Sequence, residues 1–187
     1  MNKQRIAFLL SCILVMLMFA GCGGSTTEQE PGQDNAEPEI VYFESDELVN
    51  QFIGDINDNT DYTVEDISKG NIVTKCICRI NDCYSTIIDT TDAVAEYNIE
   101  VSVDGGNNQE DTDKMIDTSK VLMKVLDPSL TDDTIDSIIS DLLAENYLKE
   151  DVEVGENIKI TFVPFKELSN GVSTSRIDIH SYTYSLR

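Results

Sequence analysis

The sequence predicts an α+β fold, an antiparallel sheet of about five strands with helices packed on one face. Three observations lead there. Residues 40–187 contain apolar residues at both helical and alternating spacing. The segments run in the order helix, three strands, two helices, two strands. That order lacks the regular strand–helix alternation of a doubly wound parallel sheet.

The first helix is expected to start at Ser45 as N-cap, with Asp46 and Glu47 in the first turn, where the helix dipole favours acids. Phe43 and Val49 are spaced as a hydrophobic staple, and Leu48, Val49, Phe52, Ile53 and Ile56 recur on one helical face. Strands are expected at Ile72–Ile80 and Cys83–Thr90, joined by Asn81-Asp82 as a two-residue turn. A third, Tyr97–Val103, alternates Ile99, Val101 and Val103 with polar residues and stops at Asp104-Gly105-Gly106. A polar loop is expected to about Asp113. Met115, Leu122, Val125 and Leu126 then share a helical face that ends before Pro128. Thr131 caps the next helix, Leu130 is placed to staple onto Ile135, and Ile135, Ile138, Ile139, Leu142 and Leu143 form its stripe. Two last strands, Ile158–Phe165 and Arg176–Tyr184, flank a loop containing Ser169-Asn170-Gly171.

Charge excludes some functions. The chain of 187 residues carries 35 acidic and 13 basic side chains, a net charge of −22. Nucleic acid and anionic lipid are bound through Lys and Arg, so neither is an expected partner of the domain. With no Trp, a sugar-stacking platform is disfavoured.

The N-terminus carries an address. Lys3 and Arg5 precede an apolar run, Ile6 to Ala20, in which Ser11 is the one clearly polar residue. A membrane span needs about 20 apolar residues, so this run suits the core of a signal peptide better. It ends in Phe19-Ala20-Gly21-Cys22, which resembles the lipobox of bacterial lipoprotein precursors, with Phe19 where that family favours Leu. The resemblance implies that residues 1–21 are a signal peptide and that Cys22 is acylated and becomes the first mature residue. Two acyl chains suffice for stable anchoring. The implied location is extracytoplasmic, held to the cell membrane by lipid on Cys22. Gly23 to Glu39 has acids, no bases and no large apolar side chain, so residues 22–39 read as the lipidated Cys and a flexible acidic tether. Residues 40–187 then form a single domain.

Chemistry-bearing residues in that domain are few. On the expected hairpin, Cys76, Cys78 and Cys83 share one face with Ile80 and Ile87 and read as buried free thiols. A zinc site would need a fourth ligand that the sequence does not supply. His180, the lone histidine, alternates with Ile177 and Ile179 and so points away from the cysteines, which disfavours a Cys–His pair. No nucleophile elbow, zinc-protease or P-loop motif occurs. No cofactor is implied. Asp55, Asn57, Asn59 and Asp66 have the spacing of calcium ligands, although Thr60 replaces the glycine that such a loop requires. If the strands join one sheet, its open face presents Arg79, Tyr84, Arg176, His180, Tyr182 and Tyr184, and Tyr and Arg are enriched where proteins bind one another. The expectation is a non-enzymatic surface lipoprotein that binds another envelope or surface protein through this face. The alternatives are a small-ligand or calcium-binding lipoprotein, or a hydrolase with an unrecognised site.

Overall fold

The computed structural model describes residues 40–106, 108–167 and 173–187. Residues 1–39, where a signal peptide, Cys22 and a tether are expected, and the expected loop at Ser169-Asn170-Gly171 lie outside the described residues. Among those described, the chain forms three helices and seven strands. In order they are α1 (Glu47–Asn59), β1 (Val64–Lys69), β2 (Lys75–Ile80), β3 (Cys83–Asp89), β4 (Ile99–Asp104), α2 (Gln109–Leu126), α3 (Asp132–Glu145), β5 (Lys149–Val154), β6 (Ile158–Glu167) and β7 (Ser173–Ser181). The strands make one sheet in the order β1-β2-β3-β4-β7-β6-β5, with every neighbouring pair antiparallel. Among the described residues no helix is long and apolar enough to cross a membrane.

The α+β class holds, but seven strands replace about five, and four rather than three precede α2. The two unforeseen strands are the edges, β1 and β5. Each buries one residue, Val64 or Val154, so neither shows the apolar alternation that marks a strand in sequence. Each is also interrupted by a register shift, with Asp66 at φ 51° and Asp151 at φ 54°. Bulges and exposed charges on edge strands discourage pairing with a further strand.

The inner strands follow the two-residue period. Ile99, Val101 and Val103 of β4 and Ile177 and Ile179 of β7 are fully buried, and the helices cover them. α2 packs across β3, β4, β7 and β6, α1 against β1 and β3, and α3 against β5. The β2–β3 hairpin has the expected register, Ile80 opposite Cys83 and Cys78 opposite Ser85. Its turn residues both adopt left-handed backbone, Asn81 at φ 52° and Asp82 at φ 63°, the geometry whose twist suits a two-residue hairpin.

Helix boundaries differ from expectation where caps compete. Asp46, not Ser45, caps α1, its carboxylate accepting from the Val49 amide at 2.9 Å. Burying Leu48, Val49, Phe52, Ile53 and Ile56 then sets the helix on its apolar face. α2 begins at Gln109 inside the expected polar loop, because Asn108 caps it and its first turn is acidic and exposed. Thr131 caps α3 as expected, and Ile135, Ile139 and Leu142 are buried with half-buried Ile138 packed beside them, but Leu143 is exposed.

An L-residue in left-handed backbone is strained and glycine is not. Asp82→Gly is therefore expected to stabilise the fold by about 0.5–1 kcal/mol, since the ion pair it removes, to Lys114 at 3.8 Å, is exposed and weak. Urea unfolding measures this, and a lower midpoint would contradict the turn geometry.

Candidate functional site

The side of the sheet away from the helices is uncovered. In its centre, one cross-strand row runs Thr86, Ser102, Asp178, Thr161 over β3, β4, β7 and β6. The row beside it runs Ile88, Glu100, His180, Lys159. On the other side, Arg176 stands opposite Asp104 and Val163, and Arg79 opposite Tyr84.

Five of the six residues expected on the open face have positions compatible with it. Tyr84 is 45% exposed. Arg79 reaches the Asp82 carbonyl at 2.9 Å and Asp66 at 3.5 Å. Arg176 lays its Nε between both carboxylate oxygens of Asp178, 3.1 Å from Oδ2 and 3.0 Å from Oδ1. Nε–H makes its hydrogen bond to Oδ2, leaving buried Oδ1 with the ion pair alone. Tyr182 lies just past β7 and is half-buried. Tyr184 is the correction: it is buried on the helix side, edge-on to Phe52 with ring centroids 5.3 Å apart. Its hydroxyl makes a short hydrogen bond to Asp55. β7 ends at Ser181, so counting alternate faces stops there, and the tail bends back onto α1.

His180 sits among aromatic and acidic neighbours on this face. Its ring stacks on Tyr97, centroids 4.3 Å apart at 8°, and its Nε2 is 3.8 Å from Glu100 Oε2. Tyr97 donates to the same oxygen at 2.9 Å. Tyr182 stands edge-on to Tyr97 at 6.5 Å, with Lys159 Nζ 5.7 Å from the Tyr182 ring. Glu100, Asp178 and Lys159 follow from strand alternation, whereas Asp104, expected to end its strand, is the last residue of β4; Tyr97 was not legible. It shares the parity of buried Ile99 but precedes β4, where the chain is still turning and brings its ring to the opposite face.

Burial and then the Glu100 hydrogen bond push the Tyr97 phenol up to about 12. Burial also raises the Asp104 carboxyl, against the pull of Arg176, with Asp178 adding to the rise. One guanidinium thus serves two carboxylates.

The cysteines are free and buried. Cys78 is held up by its thiol contact with Cys76 and by burial, and burial raises Cys83. Cys76 is held lower by its hydrogen bond with Cys78 but is fully enclosed, which denies a substrate access.

The calcium reading of Asp55, Asn57, Asn59 and Asp66 does not survive. The first three lie on α1, where alternate residues point about 200° apart and cannot converge, and Asp66 lies on β1. Each is also engaged. Asp55 accepts from Tyr184 and from Arg187 at 2.7 Å, and Asn57 accepts from the Val64 amide at 2.8 Å. Asn59 donates to the Asp55 carbonyl at 3.0 Å, and Asp66 pairs with Arg79. Among the described residues no group of three or more His, Cys, Asp or Glu side chains is placed to hold a metal.

Compared with protein-family models, curated proteins and solved structures, the chain matches none.

Because the folded value of Tyr97 lies above the ordinary value of 10, its contribution to stability is complete below pH 10 and is lost as pH rises toward 12. Phenolate absorbance should show late-titrating tyrosines, Tyr97 among them with Tyr62 and Tyr184, and Glu100→Gln should move Tyr97 to lower pH. An unchanged titration in that variant would remove Glu100 as a cause.

Proposed function

We propose that this chain is a lipid-anchored extracytoplasmic protein that acts without catalysis, by binding another surface protein through the open face of its sheet. The observation that carries the reading is the uncovered face itself, where Tyr97 and His180 are already stacked, Tyr182 stands against them and Tyr84 is exposed. Aromatic side chains have few torsions to immobilise and so lose little conformational entropy on association, and Tyr and Arg are enriched among the residues that dominate the energy of protein interfaces. A solvated antiparallel face does not by itself need such pre-ordering. The location rests on the lipobox resemblance at Phe19-Ala20-Gly21-Cys22. The acidic domain would be repelled by anionic headgroups, so the anchor rather than the domain surface does the membrane binding.

The binding test is affinity capture from the host's envelope with the full chain beside the triple variant Arg176→Glu, His180→Ala, Tyr182→Ala. The expected result is a partner whose affinity falls at least about a hundredfold in a variant with unchanged circular dichroism, given roughly 1 kcal/mol or more per anchor residue. If wild type and variant retain the same proteins equally, the open face is not the interface. The anchor has its own readout: Cys22→Ala is expected to abolish acyl labelling and release the protein from the membrane fraction. Labelling that persists would refute acylation at Cys22.

A further inference from the structure

The helical side carries a second surface, independent of the open face. A cleft of about 580 Å³ lies where the C-terminal ends of α1 and α2 meet the chain's last residues, a volume within the range of small-molecule sites. Tyr62, Val121, Val125 and Pro128 supply an apolar lining. The charged lining is Asp55, Asp61, Lys124 and Arg187.

Both cations in that lining are already neutralised. Lys124 Nζ is 2.8 Å from Asp132, and Arg187 Nη2 is 2.7 Å from Asp55. Asp61 is exposed and has no ion pair among the described residues. α1 ends beside the cleft with no basic residue in its last turn, so the partial negative charge of its carbonyl end is uncompensated from within the helix. α2 also ends there, at Leu126, just before Pro128, but Lys124 stands in its last turn and offsets its carbonyl end. Burial, and after it Asp117, Cys83 and Asp61, hold the Tyr62 phenol above its ordinary range. An anion in the cleft would meet the carbonyl end of α1, the unpaired Asp61 and no cation that lacks an acidic partner. A bare metal ion would lack ligands, as no group of three is placed to hold one among the described residues.

We propose that this cleft binds a small organic cation, an ammonium carried on a short apolar body, with the charge at Asp61 and Tyr62 and the body on Val121, Val125 and Pro128. Aromatic rings and carboxylates together favour ammonium groups, and the apolar lining takes the remainder. The net charge of −22 raises the local concentration of such cations and makes the binding sensitive to salt.

The probe is phenethylammonium chloride, titrated calorimetrically into the full chain, with phenethyl alcohol as the neutral analogue and phenylacetate as the anionic one. The expected result is saturable binding of the ammonium alone, weakening as salt is added. Asp61→Asn should weaken it about threefold, the effect of one partly solvated charge at close range. Val121→Lys, which places a cation in the cleft, should abolish it. Asp61 is exposed, so its variant tests the site even if Val121→Lys perturbs folding. The open-face triple variant should bind the probe as wild type does. Equal binding of phenethyl alcohol, undiminished binding in Asp61→Asn or in a folded Val121→Lys, or no saturable signal up to about 10 mM would each overturn the proposal.

Discussion

The pairing of β4 with β7 joins two runs of antiparallel strands into one sheet. β1 to β4 are connected in sequence order, β5 to β7 likewise, and two helices separate the runs in the chain. The register at the junction sets Val101 opposite Ile179, with Ile99, Val103 and Ile177 on the same side. α2 covers both runs at this seam. Because side chains alternate between faces, the same register sends Glu100, Ser102, Asp104, Arg176, Asp178 and His180 to the other side. A slip of one residue would turn charged groups under the helices, where burial costs several kcal/mol per unpaired ion. The apolar packing of the core and the polar character of the open face are thus two results of one constraint.

The limits of the sheet are set differently. The edge strands contribute little to the core, and each accommodates an aspartate in left-handed backbone that offsets its ladder. The last residues of the chain are held on α1 instead of extending β7. Gln51 donates to the Ser185 carbonyl at 3.1 Å and accepts from the Arg187 amide at 2.8 Å, while Asp55 takes Tyr184 and Arg187. This clamp removes Tyr184 from the open face and brings Arg187 to the rim of the cleft between α1 and α2.

Electrostatics divides the surface in a chain of net charge −22. On the open face, opposite charges are interleaved across strands: Asp104 faces Arg176, and Glu100 and Lys159 flank His180. On the helical side, bases are largely committed to neighbouring acids, as in Lys120 with Asp136 at 2.7 Å and Lys124 with Asp132 at 2.8 Å. Exposed pairs of this kind add little stability, but they leave unpaired acids to set the local potential.

Much of this architecture was legible in the chain. Alternation located the inward and outward residues of β2, β3, β4 and β7, the hairpin register followed from Asn81-Asp82, and Thr131 marked the start of α3. These are local features, dictated by the two-residue and 3.6-residue periods and by capping chemistry within a few positions. The lipobox-like segment is local too, and it remains a property of sequence alone. The edge strands were not legible, since a strand that buries one residue owes its existence to the neighbour whose ladder it completes. Nor were the Tyr97–His180 stack, the inward turn of Tyr184 or the cleft. Those contacts join residues more than 80 positions apart for the stack and 129 for Tyr184 with Asp55, so only the closed sheet and its docked helices could bring them together.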